Sequence, residues 1–299
     1  MKKAFAALLV LTFIIFALSG CRTVNINSGD ISEFNYDNPE KYLTGDAEIT
    51  DTVENIEIEW IGGSINVSYY DKDTVSFFEE SDHVLNDDTS VHYMLDGTTL
   101  KIKFCKSGIL NMKEPEKDLT ICIPESLSLK NLNIDGISAD VAADEILADK
   151  IYVNTLSGGI QLTGCIITDK ADLDSISGSI NADITESVKT LNCSSVSGEI
   201  DIHAQEIVFF SADTASGDVR LSSGTAPKEL NIDTVSGEAY LQLPENSDFS
   251  LETDTVSGDF SSDIPCKGKD GNYIFGNGDG EYEIDTISGD INIAAYNYI

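Results

Sequence analysis

The chain has 299 residues, with 18 Lys and Arg against 52 Asp and Glu and a formal net charge of −34. A field of that sign repels nucleic acid, anionic lipid and teichoic-acid-like polymers, and it keeps a surface protein soluble. It favours cations, cationic peptides or basic protein surfaces as partners.

In chain order, Lys2 and Lys3 precede an apolar run from Ala4 to Leu18, which ends in Leu18-Ser19-Gly20-Cys21. A positive start, a short apolar run and small residues before a cut site make a secretory signal. The run is too short to favour a spanning helix. Leu18, Ser19, Gly20 and Cys21 fit a bacterial lipobox, with Cys21 as the lipidated residue of an extracytoplasmic protein anchored to the cell membrane. Two or more acyl chains on Cys21 suffice for stable anchoring. The expected organisation is a signal peptide over 1–20 and a lipidated tether and lead-in over 21–50. Irregular N-terminal β coils follow over 51–130, and regular coils over 131–299. The polar stretch after Cys21 has no structural period and reads as a tether.

Within 51–130, Ile61-Gly62-Gly63-Ser64-Ile65 aligns with a motif that recurs later, so it marks a first, divergent coil. Four runs of period 2 follow at Thr74–Glu79, Val91–Leu95, Leu100–Phe104 and Leu119–Ile123, separated by turn signals such as Asp96-Gly97. Cys105 and Cys122 end or lie in two of these runs and could face one another across a hairpin. The spacing of Cys105, Cys122, Cys165, Cys193 and Cys266 sets no disulfide connectivity. Free, buried thiols are the expectation, and without a Cys-x-x-Cys pair or a Cys/His cluster no zinc site is expected.

From residue 131 one theme returns. The corners are Ser157-Gly158, Ser177-Gly178, Ser197-Gly198, Ser216-Gly217, Ser236-Gly237, Ser257-Gly258 and Ser288-Gly289, with Ser138-Ala139 a weaker copy upstream. Successive corner serines from Ser157 are 20, 20, 19, 20, 21 and 31 residues apart. Such a period means stacked coils that bury their apolar faces on one another. In each coil alternation leads to the corner, as in Leu230-Asn231-Ile232-Asp233. It breaks at Thr234-Val235 and resumes after the Gly, which marks a bend. The predicted fold is all-β: a right-handed parallel β-solenoid with about 20 residues per coil. Eight corners stacked at about 4.8 Å give a rod about 40 Å long. The corner Ser and the Ser or Thr two residues earlier form hydroxyl columns that can satisfy the bend backbone. The Gly is required for a backbone angle or a close approach. The long last interval predicts an inserted loop near the C-terminal end.

Two further columns are acidic toward the C-terminus: Asp213, Asp233, Asp254 and Asp285 three residues before the Ser, and Asp218, Glu238, Asp259 and Asp290 two after it. Stacked carboxylates about 5 Å apart repel by roughly 0.9 kcal/mol per pair in water, less with salt. A hard cation bound by oxygen ligands removes that cost, so these eight residues are a candidate calcium face. The alternative is a solvated face whose charge blocks end-to-end association of the rod.

The lipobox, the alternating N-terminal strands, the seven Ser-Gly corners and the closing run from Gly276 to Ile291 together resemble the bacterial DUF4097 family of adhesin-like proteins over residues 50–299. That resemblance implies a β-helical surface module. Ala139, in place of the corner Gly, and the cysteines depart from the pattern. Catalysis has little in its favour: His83, His92 and His203 are scattered, and no nucleophile, phosphate or dinucleotide motif is present. The expected function is a non-enzymatic surface binding or adhesion module for a protein or glycan. The alternatives are a sensor or decoy that captures cationic peptides or basic partners, and a carbohydrate-active enzyme of β-helical form.

Overall fold

In a computed structural model, which describes residues 24–27, 30–109 and 116–296, one 21-stranded sheet winds through the chain and does not close into a barrel. The signal segment and Cys21 lie outside the described residues. Helix is confined to the single 3-10 turn Pro39–Lys41 among the described residues. Within the polar stretch that reads as a tether, Val24–Asn27 and Asp30–Phe34 pair as an antiparallel ribbon.

The central coils stack in parallel register. Ile160 pairs with Ile180 and Ile180 with Ile200, while Leu173 pairs with Cys193 and Cys193 with Ala212. The same position in neighbouring coils therefore meets itself. Ile151, Ala171, Leu191, Phe210 and Leu230 run inward in a buried column, and the residues between them face outward. The corner departs from the expected break in alternation. Thr234 continues inward and is buried, while Val235 turns partly outward. The reason is a hydrogen bond: the buried Thr234 Oγ1 accepts from Gly237 N at 2.9 Å. A corner amide left without an acceptor would cost more than the exposure of one valine.

Both ends of the stack are interleaved. The divergent coil at Asn55–Tyr70 pairs with Leu129–Asp144 on one side, and Ile65 and Gly62 take corner places opposite Val141 and Ser138. On its other side lie Thr99–Lys103 and Asp118–Pro124. These two are covered in turn by antiparallel His92–Asp96 and Val75–Glu80. A coil earlier in sequence thus lies inside a later one. Trp60, buried at this end, donates from Nε1 to Lys117 O at 2.9 Å. The Lys117 ammonium is itself buried. It donates to Glu79 Oε2, Thr89 O and Phe104 O at 2.6, 2.7 and 2.5 Å, and it lies 4.2 Å from the Phe104 ring centre. Burial pulls its pKa down, and the Glu79 carboxylate opposes that shift.

At the other end Gly280–Thr286 inserts between Glu229–Thr234 and Phe249–Thr255. Ile291–Tyr296 likewise lies between Ala239–Pro244 and Phe260–Ser262. The 31-residue interval is not a plain loop. It contains the hairpin Cys266–Lys269 and Asn272–Phe275, which pairs antiparallel onto the outer edge of Phe249–Thr255 and removes a free strand edge. Tyr282, Phe249 and Phe275 stack in that order, with centroid separations of 4.0 and 4.2 Å, and close the core.

Candidate functional site

The corner residues are the first candidates, and their geometry is architectural. Ser157, Ser197, Ser216, Ser236, Ser257 and Ser288 each place Oγ 3.2 to 3.5 Å from a carbonyl of the adjacent coil. Ser177 is exposed in the same column. Ser175, Ser195, Thr214, Thr234, Thr255 and Thr286 each accept from the N–H of the corner Gly three residues on. Both hydroxyl columns thus serve backbone groups. The corner glycines Gly158, Gly178, Gly198, Gly217, Gly237, Gly258 and Gly289 have no positive φ. Their requirement is close approach: a Cβ at each would collide with the carbonyl of the residue stacked beside it. Ala139 is the exception that fits, because it pairs with Gly63, whose φ of 94° departs from the repeat.

The acid columns follow the interleaved order. Register runs Asp174, Ser194, Asp213, Asp233, Asp285, Asp254, so Asp285 separates two acids that are successive in sequence. In the second column Asp290 lies between Glu238 and Asp259. The eight residues of the candidate calcium face are spread along these columns. Among the described residues no three His, Cys, Asp or Glu side chains gather where they could hold one metal ion. Several have a structural partner instead. Asp218 Oδ1 accepts from Glu238 N at 2.9 Å, Asp290 Oδ1 from Asp259 N at 2.9 Å and Asp285 Oδ1 from Asp254 N at 3.0 Å. Arg220 bridges Glu199 and Asp218. Burial pushes Asp174, Asp213 and Asp285 up to about 6, and the neighbouring carboxylates add to the rise.

Residues from distant parts of the sequence form a groove of about 750 Å³ on the outward side of the stretches that lead into the corners. Phe209, Glu229, Glu281, Glu283 and Glu252 line its floor, and Lys267, Asn272 and Ile274 of the capping hairpin line its far wall. Register fixes the sides, since Glu252 pairs with Asn272 and Ser250 with Ile274. A smaller hollow of about 240 Å³ opens on the other side of the corners, beside Asp140, Gly159, Gln161 and Asn181.

The remaining chemistry-bearing residues are dispersed. Cys105, Cys122, Cys165, Cys193 and Cys266 are free. The strands leading to Cys105 and holding Cys122 both pair with Asn55–Tyr70 rather than with each other. Burial pushes the Cys105 thiol up to about 12 and the Cys165 thiol up to about 11, which makes them inert. His92 is buried between Thr44 and Ser90, and His203 faces solvent. Sequence reasoning missed Asp248. Its carboxylate accepts from the backbone N–H of Asn277, Gly278 and Asp279 and from Asn277 Nδ2, at 2.6 to 3.1 Å. The signal was the small-residue run Gly276-Asn277-Gly278-Asp279-Gly280, which reads as a turn but does not name the carboxylate it wraps.

No helix among the described residues is long and apolar enough to cross a membrane. The sequence matches the family described as Toastrack DUF4097 over residues 23–294. No curated protein matches it. Similar solved structures include a "putative lipid binding protein" from Parabacteroides distasonis, 16% identical, with a TM-score of 0.48 over 86% of this chain and 97% of that one. A "putative adhesin" from Bacteroides fragilis is 14% identical, with a TM-score of 0.42 over 86% of this chain and 98% of that one.

Proposed function

The chain belongs to the Toastrack DUF4097 family, and on that premise we propose that it is a non-catalytic binding module held outside the cell by a lipid on Cys21. Its coils wind right-handed, about 20 residues to a turn, and display long flat faces. The observation that carries the reading is repetition in register. Short polar side chains recur at the same outward position from coil to coil, as in Asp172, Asn192, Ser211 and Asn231. An active site is a local exception in a scaffold, whereas a repeated face suits an extended or repetitive ligand.

Two experiments test it. Fractionation of cells that make the full chain should place it with membranes, and Cys21→Ala should release it. A chain that stays with membranes as Cys21→Ala has another anchor. In parallel, the full chain would be passed over an array of immobilised surface glycans and peptides, and the eluates assayed for cleaved glycan. Retention without cleavage supports the module. Turnover of any glycan replaces it with the carbohydrate-active alternative, and an array without retention removes the binding reading.

A further inference from the structure

The groove at the C-terminal end differs in charge pairing from the N-terminal part of the same face. Toward the N-terminus, outward acids have cations of their own. Lys101 lies 4.0 Å from Glu57, Lys103 lies 2.5 Å from Glu59 and Lys170 lies 2.8 Å from Asp172. In the groove, Glu229 pairs in register with Glu281, and Glu283 with Glu252, which sets like charges on neighbouring strands. Among the described residues no Lys or Arg forms an ion pair with any of these four carboxylates. Among the described residues the only cation lining the groove is Lys267, on the capping hairpin.

We infer that this groove is a docking site for an extended, Lys- or Arg-rich peptide segment of a partner protein. The inference deepens the binding-module reading and rests on it. Size and shape favour a peptide over a bare ion. A volume of about 750 Å³ is that of a ligand pocket, and the floor crosses about four strand spacings, roughly 20 Å, from Phe209 to the hairpin. About six extended residues have that reach. Half-buried Phe209 and Ile274, the latter 49% exposed, offer apolar surface to the stems of long basic side chains while the carboxylates take the heads. The carboxylates do not converge as ligands of one metal ion.

The test is the anisotropy of a fluorescein-labelled octalysine peptide titrated with the full chain in detergent. The groove variant combines Glu229→Gln, Glu252→Gln, Glu281→Gln and Glu283→Gln. A charge-matched control combines Glu125→Gln, Asp149→Asn, Asp183→Asn and Glu186→Gln, all exposed and none of them lining the groove. The groove variant should bind at least tenfold more weakly and the control within twofold of the unmodified chain. Lys267→Glu should bind about threefold more tightly, a gain that misfolding cannot produce. Equal losses in the two combined variants reduce the attraction to diffuse charge and overturn the site, and so does binding that neither changes. If the unmodified chain ignores the peptide yet still binds the array, the groove inference alone fails. If it binds neither, the module reading fails with it.

Discussion

Gly158 and Gly159 are adjacent, yet the fold treats them differently. A Cβ on Gly158 would collide with the Ala139 carbonyl stacked beside it, whereas one on Gly159 meets nothing closer than 3.6 Å. Gly158→Ala should therefore cost about 3 kcal/mol or more, and Gly159→Ala within about 0.5 kcal/mol, in urea unfolding of the full chain. Equal effects would remove the close-approach account of the corner. The buried acids make a second prediction. Asp174, Asp213 and Asp285 titrate near 6 in the fold, above their ordinary value of 3.8, because burial disfavours the charged form. The native state then binds more protons than the unfolded chain between about pH 4 and 6. The stability these groups contribute is full below that window and lost as pH rises through it. Asp213→Asn should raise the Tm at pH 7.5 by a few degrees, corresponding to about 1 kcal/mol after allowance for solvent, and should make the melt less dependent on pH. A lower Tm at pH 7.5 would mean that the Asp213 carboxylate is a stabilising ligand rather than a buried cost.

The regular coils were legible because each carries its own corner at an interval of 19 to 21 residues, with inward Ile, Leu and Val alternating before it. Their order at the ends was not legible. Every coil offers its neighbour the same kind of edge, so nothing in Gly280–Thr286 announces that it pairs with Glu229–Thr234 rather than following Phe249–Thr255. The interval of 31 marked an added element, but only pairing revealed a hairpin that caps the stack. The groove was hidden for a related reason: Phe209, Glu229, Glu252 and Glu283 are ordinary outward positions until coil order brings them into one groove with Lys267. The interleaving has a direct check. With cysteines substituted in pairs, a short thiol cross-linker should join positions 231 and 283, which are register neighbours, and not 231 and 252. The reverse pattern would restore sequence order. Asp248 fastens the loop through which the chain returns. Asp248→Ala should speed amide exchange at Asn277, Gly278 and Asp279 and in Gly280–Thr286, leaving coils 160–214 protected, since each coil of a stack depends chiefly on its neighbours. Unchanged exchange in Gly280–Thr286 would show that the carboxylate does not hold the inserted coil.

At the scale of the whole molecule, a net charge of −34 is carried on a scaffold whose repeated residues are committed to holding coils together. Serines and threonines serve carbonyls and amides, glycines permit backbone stacking, and several column acids accept N–H groups of the adjacent coil. The outward positions that these columns leave uncommitted are the ones on which the proposed recognition rests, the groove among them. The central claim is that the corner and acid columns are architecture rather than a metal-binding face. Its most direct test is a thermal melt of the full chain in chelator, in millimolar calcium, and in magnesium or sodium at matched ionic strength. Acid columns that serve as scaffold predict one common shift, set by screening alone. A rise in Tm specific to calcium would contradict the account and make the columns a metal-binding face.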